Sequence, residues 1–341
     1  MSEAHIQTNG NGFSTDVGAW YITYNTEKMW QDNFGSGNPI KYRVRCSDKT
    51  EDYRIPVSDD PAIVDYHLSL FEEAGIDFML LDLTNGGLMT KLKYGTGNEW
   101  IVDNALFTCK RVCLWNETHS WKIRYAVAVG VYPAIRGFVY DADGNLLKEG
   151  CRIGEATEWQ AQAVYEKFYQ NPELDKGNYY QLDGKPLLVI HDWGENVLTV
   201  PQGWNAYRGD RTYGDRFTVR NGECGQGGTY GWQTSFGTQP HPEVEVVCPG
   251  WASAHNGGGK ISRENGEYYR RCWEIVAEKP PRIVMITAFN DYNESCAILP
   301  TDTTACDSPQ EEQWRNSDGK LEPDLDWNMT NSSSRENRLP M

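Results

Sequence analysis

Apolar β-type runs alternate along this chain with stretches whose apolar residues recur at i, i+3, i+4 and i+7, and that alternation restricts the fold more than any other feature. The β-type runs are "GAWYIT" (18–23), "DFMLLDL" (77–83), "RYAVAVGVY" (124–132), "PLLVIHD" (186–192), "RFTVRN" (216–221), "TYGWQ" (229–233), "EVEVVC" (243–248) and "RIVMITAF" (282–289). Helical spacing appears in "DPAIVDYHLSLFEEAG" (60–75), around 104–119, in "EATEWQAQAVYEKFYQN" (155–171) and in "NGEYYRRCWEIVAEK" (265–279). Strands separated by helices pair in parallel, because a parallel neighbour needs a long crossover. Eight such strands in 341 residues predict an α/β protein of the (β/α)8 TIM-barrel type. The structural rival is an open doubly wound sheet, but no Gly-rich phosphate loop of the GxGxxG or GxxxxGK[ST] kind follows any strand.

Local signals refine this organisation. Ser58-Asp59-Asp60-Pro61 marks a helix start, since Asp accepts from the free amides of the first turn and Pro suits the first helical position. "FVYDADGNLLKEG" (138–150) predicts an inserted β-hairpin with Asp-Gly in its turn; it lacks the bidentate Glu of a calcium loop. No internal repeat or low-complexity linker interrupts the chain. Residues 1–306 are expected to form one barrel domain, and the polar stretch 307–341 a C-terminal extension.

Charge narrows the partners. Lys plus Arg number 32 against 48 for Asp plus Glu, a net charge of −16, which opposes binding to nucleic acid or an anionic membrane. A neutral partner fits best. Thirteen Trp and nineteen Tyr supply flat faces of the kind that stack on sugar rings, or else fill an aromatic core. No run of 18 or more apolar residues occurs and the first residues are polar, so neither a membrane span nor an uncleaved signal peptide is expected. Nine Cys include no CxxC and no Cys/His cluster of zinc spacing, so no structural metal and no cofactor is expected. Cys109 and Cys113 sit one helical turn apart, Cys248 follows a strand, and Cys272 lies in an amphipathic helix, all usual places for buried thiols.

In a barrel of this type the reacting residues stand at the C-terminal ends of strands. Read in order, those ends supply Tyr21 and Tyr24; Asp82 and Asn85; Tyr132; His191, Asp192, Trp193 and Glu195; Arg220, Asn221 and Glu223; Trp232; Trp251; and finally Asn290, Asp291, Tyr292, Asn293 and Glu294. Each has a plain structural explanation: Asp82 and Asp192 as caps, Trp232 and Trp251 as core, Glu223 with Arg220 as an ion pair. Convergence on one mouth is what those explanations do not supply. Carboxylates among aromatic walls suit glycoside cleavage, which needs one carboxylic acid to protonate the leaving oxygen and a second carboxylate as nucleophile or base. Asp291 and Glu294, three positions apart, offer that pair, and two nearby carboxyl groups keep one of them protonated near neutrality. Neither a nucleophile elbow nor HExxH is present.

Three ordered segments carry a family resemblance: "SDDPAIVDYHLSLFEEAGIDFMLLDLTNG" (58–86), "DGKPLLVIHDW" (183–193) and "YYRRCWEIVAEKPPRIVMITAFNDYNESCAILP" (268–300). Together they resemble glycoside hydrolase family 99, the endo-α-mannosidase-like barrels, over about residues 16–300. The family's closing "ITSFNEWHEGTQIEP" aligns with "ITAFNDYNESCAILP" (286–300). The resemblance implies Glu294 as general acid and base. It implies Asp291 as the group that deprotonates the sugar's own 2-hydroxyl in a retaining, anhydrosugar-type route. The family carries Glu where this chain has Asp291, an arm shorter by one methylene, and "WH" where it has "YN".

Three readings follow. The first is a glycosidase with Asp291 and Glu294 as acid/base pair, and Asp82, Asp192 or Glu223 as third carboxylates. Tyr24, Trp193, Trp232 and Trp251 would then stack on sugars, and Tyr132, His191, Arg220, Asn290 and Tyr292 would line the substrate site. The second is a non-catalytic glycan-binding barrel disarmed by the Glu-to-Asp change. The third is a polysaccharide lyase using Arg220, Lys260 and Arg263 as a cation clamp. A glycan-degrading enzyme is expected to be secreted or periplasmic, while the nine thiols point the other way. "NET" at 116, "NES" at 293, "NMT" at 328 and "NSS" at 331 match the glycosylation pattern.

Overall fold

A computed structural model of the protein describes residues 15–26, 43–44, 57–85, 88, 99–131, 138–140, 146–149, 153–192, 204–205, 207–222, 228–231, 241–252, 260–291, 294, 296–299 and 301–302. In chain order these form β1 (Asp16–Ile22), β2 (Arg43–Val44), α1 (Pro61–Ala74), β3 (Phe78–Leu83), α2 (Glu99–Thr118), β4 (Arg124–Val131), β5 (Phe138–Tyr140), β6 (Leu146–Glu149), α3 (Ile153–Val164), β7 (Gln181–Leu182), β8 (Lys185–Asp192), β9 (Thr218–Asn221), β10 (Val244–Val247), β11 (Trp251–Ala252), β12 (Lys260–Ile261), α4 (Glu267–Glu278), β13 (Ile283–Ile286) and β14 (Thr301–Asp302). The chain divides into two compact units. One comprises Met1–Asp77, Gly225–Gly228 and Trp232–Met341, the other Phe78–Cys224 and Thr229–Gly231. Each is mixed α/β and is built on parallel strands.

In the first unit β13 lies between β10 and β1, parallel to both, with Ile283 opposite Val244 and Asp16. All four residues of β10 and of β13 are buried, as expected of parallel strands covered on both faces. Helix α1 starts where Asp60 accepts from the Ala62 amide at 2.8 Å and Pro61 opens the first turn. It ends at Gly75, whose φ of 70° is the left-handed conformation that glycine adopts without a Cβ penalty. Ile63, Val64, Leu68 and Phe71 form its buried stripe. Phe71 packs on Phe289 with ring centroids 4.7 Å apart, and burying one such side chain stabilises the fold by about 1.5–3 kcal/mol. Tyr269, Cys272 and Val276 repeat the helical spacing on the inner face of α4.

The second unit holds the parallel order β3, β4, β8, β9, with the short β7 antiparallel to β8. The close approach of β4 to the end of β3 requires Gly130, because a Cβ there would lie 2.1 Å from the Thr84 carbonyl oxygen. Helix α2 is locked at its end by Asn116, which accepts from the Ile123 amide and donates to the Ile123 carbonyl and to Asn178. Helix α3 passes into one wide π-helical turn, Tyr165–Tyr169. The hairpin expected at 138–150 is present as antiparallel β5 and β6, with Phe138 opposite Glu149.

Seven of the eight expected strand runs form strands, and "TYGWQ" differs. Thr229 has no regular structure, Tyr230 and Gly231 make bends, and 232–233 lie outside the described residues. Two glycines precede the run and Gly231 interrupts it, and Gly228 has a φ of 95°, which breaks an extended path before it starts. Among the described residues here, Tyr230 N donates to the Asn221 carbonyl at 2.8 Å, and Gly228 N to the Val244 carbonyl at 3.3 Å. The expected extension 307–341 lies outside the described residues. No described helix is long and apolar enough to cross a membrane.

Candidate active site

The C-terminal ends of β1, β10 and β13 fall on the same side of the first unit, since all three run in one direction in matched register. β13 stops at Ile286, but the chain continues alongside β1. Phe289 N donates to the Trp20 carbonyl at 2.9 Å, and the Asn290 side chain takes over the pairing. Its Oδ1 accepts from Ile22 N at 2.7 Å while its Nδ2 donates to Ile22 O at 3.0 Å. Asn25 Nδ2 closes on the Asn290 carbonyl at 3.3 Å. One buried amide therefore carries the chain from strand to loop, and the two candidate carboxylates follow it.

Asp291 is 3 % exposed and Glu294 half-buried. Glu294 N donates to Asp291 Oδ1 at 3.2 Å, and Cys296 N to the Asp291 carbonyl at 3.2 Å, so two later backbone amides close on Asp291. Across from it, Trp251 Nε1 donates to Glu294 Oε2 at 3.0 Å. Buried Arg263 reaches the same loop from beyond β12, its Nη2 donating to the Ala297 carbonyl at 2.7 Å. Cys248, at the end of β10, donates its thiol to the Gly250 carbonyl at 3.2 Å. Burial, and to a smaller degree the charge of Glu294, push that thiol up to about 11, so it stays protonated at neutral pH.

One oxygen each of Asp291 and Glu294 and the Cys296 sulfur lie within 4.8 Å of one another. Two carboxylates and a thiol at that spacing are a donor set able to hold a cation. Their hydrogen bonds to the Glu294 amide and the Trp251 indole fit acid/base work equally well.

The remaining sequence candidates distribute as follows. Tyr24 is half-buried just past the end of β1. Asp82 is buried and accepts from the Thr84 amide and hydroxyl at 2.8 and 2.6 Å, the local turn-capping geometry that a short acidic side chain after a strand adopts. His191 is buried, its Nδ1 2.6 Å from the Gly222 carbonyl. Arg220 pairs with Asp183 at 3.4 Å and donates to the Val219 carbonyl at 3.1 Å; the ion pair with Glu223 that the sequence offered involves a residue outside the described ones. Asp192 ends β8, and its side chain is outside the described residues, as is that of Lys260. Tyr132, Trp193, Glu195, Glu223, Trp232 and Tyr292 also lie outside them. Sequence reasoning did not single out Asn25 or Cys296. The only sequence signal available for Cys296 was its place two residues after Glu294.

No family model and no curated protein matches the chain by sequence. Solved structures do match by fold. A GH99 endo-alpha-mannosidase from Bacteroides thetaiotaomicron, in complex with BIS-TRIS-Propane, shares 16 % identity over 86 % of this chain and 90 % of its own, with a TM-score of 0.53. A structure described as a glycoside hydrolase-like protein shares 12 % identity over 97 % and 96 % of the two chains, with a TM-score of 0.51. In fold, the chain is GH99-like.

Proposed function

We propose that residues 1–306 form a (β/α)8 glycoside hydrolase barrel, extended by 307–341, that cleaves a glycosidic bond with Glu294 and Asp291 as its carboxylates. The observation that carries this reading is the approach of one oxygen from each carboxylate to within 4.8 Å. That is nearer the ~5–5.5 Å separation of retaining enzymes than the ~6.5–9.5 Å that leaves room for a water. Glu294 as the acid protonates the departing oxygen while Asp291 takes the proton of the sugar's 2-hydroxyl, whose oxygen closes on the anomeric carbon. Glu294, now a carboxylate, draws a proton from water as the water opens the three-membered ring, and Asp291 returns its proton to the 2-oxygen. The partner is a neutral oligo- or polysaccharide, in keeping with the charge of −16, and the working compartment is outside the cytoplasm.

A second reading, a glycan-binding barrel without turnover, is favoured by one contact. The short Asp291 arm already accepts from the Glu294 amide, a capping role that needs no substrate. Reducing-end release across a glycan panel, with wild type, Glu294→Gln and Asp291→Asn, tests both. The glycosidase reading expects release by wild type, loss of at least ~10³-fold in either variant, and retained binding. Binding by wild type without release from any glycan supports the binder, and full turnover by Glu294→Gln removes that residue from the chemistry.

A further inference from the structure

Trp251 was expected to offer its ring face to a sugar. The geometry gives its edge another task. The indole N–H is aimed at Glu294 Oε2 at 3.0 Å, and three separate features fix the indole's backbone against the loop that carries Glu294. First, Trp251 is paired with Ile261 in the β11–β12 ladder. Second, Arg263, two residues past that pairing, is 3 % exposed and ties its guanidinium to the Ala297 carbonyl, three residues past Glu294. Third, the preceding Gly250 has a φ of 145°, and a Cβ there would lie 2.6 Å from Arg263 Cγ, so the two braces are packed against each other without room for a side chain. A stacking platform needs none of this; a fixed donor does.

We propose that Trp251 is a positioning residue for Glu294, its indole N–H at 3.0 Å setting the rotation of the carboxylate. The inference rests on the reading of Glu294 as the acid/base group, but its physical core, the hydrogen bond from the indole N–H to the carboxylate, stands apart from any turnover. A neutral N–H donor stabilises the carboxylate more than the carboxylic acid, so its removal raises the pH at which Glu294 takes up a proton.

The test uses the full chain labelled with 13C at glutamate Cδ. The Glu294 signal is identified by its loss in Glu294→Gln. In Trp251→Phe, which keeps an aromatic ring and drops the donor, the Glu294 midpoint should move up by about one pH unit. On any glycan the wild type cleaves, the limb of the pH–rate profile set by Glu294 should move with it, with a larger fall in kcat than rise in KM. An unchanged Glu294 midpoint in folded Trp251→Phe overturns the proposal. If that variant does not fold, 15N-labelled wild type decides. One indole N–H signal should titrate with the Glu294 midpoint and cease to do so in Glu294→Gln; the absence of any such signal overturns the proposal equally. A midpoint shift in a protein that cleaves no glycan sustains the hydrogen bond and rejects the glycosidase reading, so the two failures are separable.

Discussion

The side chain of Asn290 pairs with the backbone of Ile22 as a neighbouring strand would, accepting from its amide at 2.7 Å and donating to its carbonyl at 3.0 Å. Both groups are buried, and the residue after Asn290 is the candidate carboxylate Asp291. Asn290→Asp replaces the donor with a second acceptor facing the Ile22 carbonyl. The expected cost is about 2–4 kcal/mol of stability, from one lost bond and two buried acceptors left opposed. Urea unfolding of the variant checks it; a midpoint equal to wild type would mean that the loop is held by other means.

His67 predicts a pH dependence of stability. Its ring is buried between Tyr21 and Phe289, Nδ1 shares a 2.8 Å hydrogen bond with the Tyr21 hydroxyl, and Nε2 makes no hydrogen bond among the described residues. Burial pushes the imidazole down to about 3, so it stays neutral when folded while the unfolded chain protonates near the ordinary value of ~6.5. The unfolded state then binds more protons, and stability falls as pH drops from about 6.5 toward about 3, by up to ~1.4 kcal/mol per pH unit. Above the ordinary value the effect vanishes. Unfolding free energies of wild type and His67→Asn across that window should diverge in slope, the variant being the flatter.

Gly250 tests the brace that carries Trp251. Alanine there meets Arg263 Cγ and the Ile261 carbonyl, at 2.6 and 3.1 Å, in a backbone region that L-residues rarely enter. Gly250→Ala should cost about 2–4 kcal/mol, combining strain and overpacking. Thermal melts measure the loss, and a variant as stable as wild type would show that Arg263 moves aside freely.

Asn116 heads an Asn-Glu-Thr glycosylation pattern, yet its amide is spent on the fold. It donates to the Ile123 carbonyl at 2.7 Å and to Asn178 at 2.8 Å, and accepts from Ile123 N at 3.0 Å. A glycan on Nδ2 is incompatible with both donations at once. Folded protein from a secretory host should therefore carry no glycan at Asn116 by peptide mass mapping, and Asn116→Ala should lose about 2–4 kcal/mol.

Element type was legible wherever a periodic pattern ran long enough to outvote local exceptions. The α1 helix was marked by Asp60, Pro61 and the stripe from Ile63 to Phe71, and its caps and buried face follow that pattern. The β5–β6 pairing was legible from the Asp-Gly in the sequence between the two strands. "TYGWQ" misled because its aromatic residues carry strand propensity, whereas the glycines around it and the positive φ of Gly228 decide the backbone. Asp82 illustrates the same limit at the site. A carboxylate at a strand end reads identically whether it meets substrate or caps its own turn, and the structure shows Asp82 accepting from the Thr84 amide at 2.8 Å.

By itself the sequence determined the alternation of strands and helices, and with it the parallel pairing, because periodicity and crossover length are local properties of the chain. It also put Asp291 and Glu294 three positions apart, shortly after β13. Tertiary structure alone decided what surrounds them: Trp251, more than forty positions earlier, turns its N–H onto Glu294, and Asn290 fastens the loop to Ile22. Those contacts depend on directions in space between segments distant in the chain, which no local pattern encodes.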